Sequence, residues 1–181
     1  GESGAPIPFA ALSGLAACKE DGLLYTVEDS FYKKSRIMTI DTTTTPPTIV
    51  AEHRILDSEG VLADCLTGQE GVDLAARIND DSTINIDPEG ISISSNGGFW
   101  VVSEGRGTFG DEGRPIEYPN ILLEVDIEAN IIQCILPDDS FQPQLRFGFE
   151  GVAEDGSKIA VAVQRYVNHC IDRICIILHS N

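Results

Sequence analysis

Basic residues are scarce in this sequence. Its 181 residues hold 12 Lys and Arg against 29 Asp and Glu, a formal net charge of −17. A surface this acidic repels phosphate backbones and anionic headgroups, so nucleic acid and anionic membranes are poor partners. It suits divalent cations, export or plain solubility. Long apolar runs are also missing. None approaches the roughly 18–20 residues that cross a bilayer as a helix. The five cysteines (Cys18, Cys65, Cys134, Cys170, Cys175) contain no C-x-x-C metal spacing. Their odd number leaves at least one free or paired between molecules. They read as small buried hydrophobes, with Cys170 or Cys175 able to bridge to a neighbouring unit in an oxidising compartment. The three histidines, His53, His169 and His179, fit neither H-x-H nor H-E-x-x-H, and no G-x-S-x-G elbow is present. The chain shows no signal peptide and opens on GESGAPIPF without an initiating Met, so a processed or truncated chain is expected.

What is present is repetition. Ser13 to Glu28 reads SGLAACKEDGLLYTVE, Glu89 to Glu104 reads EGISISSNGGFWVVSE, and Glu150 to Gln164 reads EGVAEDGSKIAVAVQ. Each copy runs from a strand of small and apolar residues through a Gly-containing turn to an apolar strand and a polar residue. A recurring strand–turn–strand unit of this size signals a β-propeller blade. The apolar share of 42% supports a real core. The expected fold is therefore all-β, a partial β-propeller of about two and a half to three four-stranded antiparallel blades. Residues 1–181 form one domain with units starting near 13, 89 and 150.

Consecutive strands are expected at 22–27, 36–41 and 48–56, with TTTTPP at 42–47 as a hairpin loop. The second unit continues through NILLEVDI and IIQCILP, turning at Ala129-Asn130. The third continues to RICIIL and stops short of a fourth strand. An insert at 57–81 reads as loop with one short helical turn in QEGVDLAARI. The Gly- and Pro-rich stretch 105–119 follows a strand end, where binding groups are commonly carried. A blade takes about 40–50 residues and a ring at least four blades. The remaining blades, or another chain, are therefore expected to complete the ring.

Aligned in this way, IDPEGISISSNGGFWVVSEG, ILLEVDIEANIIQCILP and FGFEGVAEDGSKIAVAVQ resemble the family described as esterase-like activity of phytase, also called phytase-like. SGLAACKEDGLLYTVEDS matches that family's opening segment. The resemblance spans roughly residues 12 to 178. It implies a β-propeller, generally exported and so extracellular or periplasmic, that hydrolyses a small-molecule ester or phosphoester. The alternative is a non-catalytic propeller that serves as a binding or interaction module.

Glu89 and Glu150 hold the same place in two units, each before a Gly at the start of the strand expected to line the channel. Asp87 lies two residues before Glu89, on the same face of an extended strand. Asp87, Glu89 and Glu150 are the expected metal ligands, hard oxygens suited to calcium. The competing role for the two glutamates is to fix blade packing through backbone amides. Ser13 stands at their position in the first unit, which argues against a purely architectural one. Glu89, Glu150, Glu104 and His169 are the candidate catalytic groups, with His169 the one plausible acid/base histidine. Arg106 and Arg165 follow Glu104 and Gln164 at one rim and are candidates for binding phosphate or carboxylate. Each Arg alone more often forms a surface ion pair. Ser103 has no nearby His in sequence. Trp100 is expected in the core.

Overall fold

The computed structural model describes residues 7–18, 22–29, 34–108, 110–113, 116–142, 148–167 and 170–179, and from residue 165 onward the backbone alone. Its strands form three antiparallel meanders. The first sheet runs β1 (Leu12–Cys18), β2 (Leu23–Glu28), β3 (Arg36–Asp41) and β4 (Thr48–Arg54). The second runs β5 (Pro88–Ile93), β6 (Phe99–Ser103), β7 (Ile121–Val125) and β8 (Ile131–Ile135). The third has three strands, β9 (Phe149–Asp155), β10 (Lys158–Val167) and β11 (Cys170–His179). These are blades of an all-β propeller sector, with the first strand of each blade packed beside that of the next.

Apolar alternation builds two cores, one between each pair of blades. Val27, Ile37, Ile91, Val101 and Leu123 fill the first. Trp100, Val102, Leu122, Phe149 and Val161 fill the second. Successive residues of β6 thus face opposite cores, as a strand buried on both sides requires. Trp100 is 2% exposed, as its mid-strand place predicts. Its indole Nε1 donates to Glu154 of the third blade at 2.9 Å, and the Ser95 backbone N–H donates to the same carboxylate at 2.8 Å.

Glycine permits the close approach of the inner strands. A methyl on Gly14 would lie 2.7 Å from the Cα of Gly90, and one on Gly90 would lie 2.7 Å from the Cα of Gly151. Any larger residue at Gly14 or Gly90 would push two backbones apart.

All three inner strands also bulge at the repeated position. On β5, Pro88 pairs Ser103 and Gly90 pairs Val102, so Glu89 is the extra residue. On β9, Phe149 pairs Val163 and Gly151 pairs Ala162, which makes Glu150 the extra one. On β1 the register slips between Leu12 and Leu15, around Ser13. A bulge leaves a residue out of the ladder and re-aims its side chain.

The insert differs from expectation in two ways. It holds two helical turns, α1 (Val61–Leu66) and α2 (Leu74–Arg77), where sequence suggested only the second. Asp57 explains α1: its carboxylate accepts from the Leu62 and Ala63 amides at 2.8 and 3.0 Å, a cap supplied from three residues before Gly60. Two cysteines read as buried hydrophobes are instead bonded. Cys65 on α1 and Cys134 on β8 form a disulfide across 69 residues of sequence, pinning the insert to the outer strand of the second blade. Cys18 is a free thiol. The side chains of Cys170 and Cys175 lie outside the described residues.

Candidate functional site at the bulged inner strands

Asp87 precedes β5 and is held by its backbone. Its N–H donates to Ser103 Oγ at 3.0 Å, and its carbonyl accepts from the Glu104 N–H at 2.9 Å. Two residues on, Glu89 projects from the bulge and accepts a hydrogen bond from Ser13 Oγ at 2.7 Å. The serine that replaces Glu in the first blade thus serves the Glu of the second. Asp29, just past β2, completes the group: ligand atoms of Asp29, Asp87 and Glu89 all lie within 4.8 Å of one another. Asp87 and Glu89 were legible in the sequence. Asp29 was not, because it lies one residue beyond the repeated frame. The E-D pair at 28–29 was its only mark.

The carboxylates crowd one another. Burial pushes Glu89 up to about 7, the Ser13 hydrogen bond opposes this, and the charges of Asp87, Asp29 and Glu150 add to the rise. Burial likewise pushes Glu104 up to about 7, with Glu150, Glu89 and Asp87 adding repulsion and the Gly148 backbone N–H pulling back. Solvent reaches Glu150, yet protein packed around its inner side raises its carboxyl, and Asp87 adds to the shift. Mutual electrostatic influence thus links Asp87, Glu89, Glu104 and Glu150.

The first blade shows what an architectural Glu looks like at the Glu104 position. Glu28 is held by Arg36, with Nε to Oε2 at 2.8 Å and Nη2 to Oε1 at 3.1 Å, and it also accepts from the Ala10 N–H at 2.6 Å. Burial alone would raise its carboxyl, but these partners leave it below the usual range. One step beyond the paired residues Val27 and Ile37, Glu28 meets Arg36. The same step beyond Ser103 and Ile121 sets Glu104 against Asn120, which is neutral. Asn120 is already engaged: Oδ1 accepts from the Gly105 N–H at 2.6 Å, and Nδ2 donates to the Phe141 carbonyl at 2.7 Å. Gly148 lies so close to Glu104 that a methyl there would sit 2.3 Å from its Cγ.

Tyr118 borders this group. An isolated bridge pairs it with Arg106, whose N–H donates to the Tyr118 carbonyl at 2.8 Å. The Arg77 guanidinium of α2 stacks over its ring, 4.2 Å from the centroid. Burial and the charge of Asp87 raise its phenol to about 12, against the pull of Arg77 and Arg106. Arg106 itself is 63% exposed and pairs with Glu117 at 3.4 Å, the surface ion pair that was its simpler reading. Arg165 lies in β10, its side chain beyond what is described, and His169 lies outside the described residues.

The donor set fits calcium: three carboxylates offer only oxygen, at mutual distances one hard cation spans. The family model described as phytase-like, esterase-like activity of phytase, matches residues 7–169. The chain belongs to that family. A solved structure to which it is similar is a gluconolactonase from Xanthomonas campestris, at 10% identity and TM-score 0.42, over 86% of this chain and 36% of that one. The chain spans about a third of that protein's length. No curated protein matches it. No helix among the described residues is long and apolar enough to cross a membrane, which says nothing of a strand-built span.

The raised carboxylates make a stability prediction. A folded value of about 7 against 4.5 for the free group means that the folded state holds the proton more tightly. The stability this contributes is full below about pH 4.5 and is lost as pH rises through about 7. Without divalent cations, the gap in Tm between wild type and Glu89→Gln should therefore move in the variant's favour between pH 5 and pH 8. Tm values across that range, with chelator, check this. A gap that does not change with pH would contradict the crowding.

Proposed function

We propose that this chain is the sector of a longer propeller that carries a hydrolytic site for a small ester or phosphoester. The observation that carries this reading is the grouping of Asp29, Asp87 and Glu89 at the Glu89 bulge, with Glu104 and Glu150 near enough for mutual repulsion and with Glu89 and Glu104 pushed up to about 7. Asp29, Asp87 and Glu89 are the residues that would hold calcium. Calcium bound there would supply the positive charge that draws a substrate oxygen and offsets the carboxylates' repulsion. Glu104 shares its proton near neutral pH, which suits a group that takes one from water and returns it to a leaving oxygen. Glu150, open to solvent from the neighbouring blade, would orient that water. Arg106 and Arg165 would meet the substrate at the rim.

The disulfide supports an oxidising location, extracellular or periplasmic. A closed ring needs at least four blades, so the three sheets described are read as part of a larger propeller.

The test uses the full-length protein with p-nitrophenyl esters and phosphates, in calcium and in chelator. The expected result is turnover of one class that chelator abolishes and calcium restores. A calcium-raised Tm without turnover of any substrate would favour a binding module. Neither effect would end the cation reading altogether.

A further inference from the structure

Tyr118 has no part in the reading above, yet three features fix its place opposite the segment that leaves Glu104. Its main chain is bridged to Arg106, two residues past Glu104, so the base of the 105–119 stretch is closed at that point. The Glu117 N–H donates to the Arg106 carbonyl at 2.8 Å, which doubles the clasp. Arg77 covers one ring face at 4.2 Å. That arginine comes from the insert, which the Cys65–Cys134 disulfide ties to β8. Its Nη1 reaches the Asn85 carbonyl at 3.4 Å, and its Nε is buried without a hydrogen-bond partner among the described residues. A guanidinium that leaves one N–H unmet yet sits over a ring is placed by the ring more than by hydrogen bonds.

We propose that Tyr118 is a substrate-contacting hydroxyl of this site, donating a hydrogen bond to the ester or phosphoester oxygen, and that Arg77 is the positioning residue that holds its ring there. Apart from the rim arginines proposed above, the groups of the site are acceptors when ionised. Five carboxylates can receive protons or coordinate a cation, but when ionised none donates to a substrate oxygen. A phenol that keeps its proton supplies an uncharged donor beside them, and Tyr118 is partly exposed. The insert then has a purpose that its distance in sequence conceals: it brings a cation under a ring rather than into the acidic cluster, where it would compete with the metal.

This inference rests on the hydrolytic reading, and the test separates the two. On the ester or phosphate that wild type turns over, Tyr118→Phe should lower kcat/KM at least tenfold while Tm is unchanged, because the ring and its stacking on Arg77 remain. Arg77→Met should lower kcat/KM to a similar level, the double variant should fall little further, and Arg77→Lys should recover part of the loss. Wild-type kcat/KM in Tyr118→Phe would overturn the inference and leave the hydrolytic reading intact. A second readout needs no turnover. Terbium, a luminescent stand-in for calcium, is excited through nearby aromatic rings. Terbium emission on excitation at about 280 nm, where phenylalanine scarcely absorbs, should fall in Tyr118→Phe while terbium affinity by calorimetry holds. Unchanged emission would place the ring away from the site and overturn the inference. A wild type that neither turns over substrate nor binds terbium ends the hydrolytic reading, and this one with it.

Discussion

Glu104→Gln should lower kcat/KM by at least 100-fold and, in the same protein, raise the Tm of the metal-free form above pH 7. The two effects share one cause. Glu104 is half-buried near Glu150, Glu89 and Asp87, no cationic side chain among the described residues pairs with it, and its carboxyl stands at about 7. Glutamine keeps the shape, and its amide can still meet the Gly148 N–H through oxygen. It removes both the repulsion and the proton exchange. Loss of a positioned acid/base group costs about 10²–10⁴ in rate. The full shift from 4.5 to about 7 corresponds to roughly 3 kcal/mol. Solvent screening of a partly exposed group brings the expected gain to about 1–2 kcal/mol. Glu28→Gln is the contrast: it takes from the buried Arg36 one of its two carboxylate partners, the other being Glu52, and should lower Tm at neutral pH. An inactive Glu104→Gln that is also less stable at pH 8 would assign Glu104 the architectural role that Glu28 plays.

Gly90→Ala should destabilise the fold by about 3 kcal/mol or more, a Tm loss on the order of 10 °C. The added methyl would meet the Gly151 Cα at 2.7 Å and Val102 Cγ2 at 2.8 Å. The first is backbone and can yield only if the second and third blades separate at their inner edge. Gly151→Ala is the internal control. Its methyl meets the Ala162 Cβ at 3.7 Å, an ordinary contact, so Tm should stay within a few degrees. Equal losses in both variants would contradict the close approach of β5 and β9.

Much of this could be read before the fold. The repeat gave the strands, because apolar alternation and Gly turns recur in each unit. It also gave the placement of Glu89 and Glu150, because a residue repeated before a Gly on an inner strand has few places to point. The bulges were not legible, since an extra residue in a ladder leaves no mark in one strand's own sequence. Asp29 was missed for a related reason: its proximity to Asp87 depends on how two blades abut. The contrast between Glu28 and Glu104 could have been found by aligning RIMTID with NILLEV, where Arg36 stands against Asn120. The Cys65–Cys134 bond joins an insert to a distant strand, a pairing that spacing alone does not choose.

The most direct test of the converging carboxylates is calorimetric titration of the full-length protein with calcium at pH 7.5, beside Asp87→Asn and Asp29→Asn. Asp87 is anchored by Ser103 and Glu104, and Asp29 reaches the site from another blade. The neutral amide keeps each shape while removing a charged ligand. The account predicts calcium binding in wild type, weakened at least tenfold in each variant, with proton release that shrinks as pH rises past 7. Wild-type affinity in both variants would contradict it.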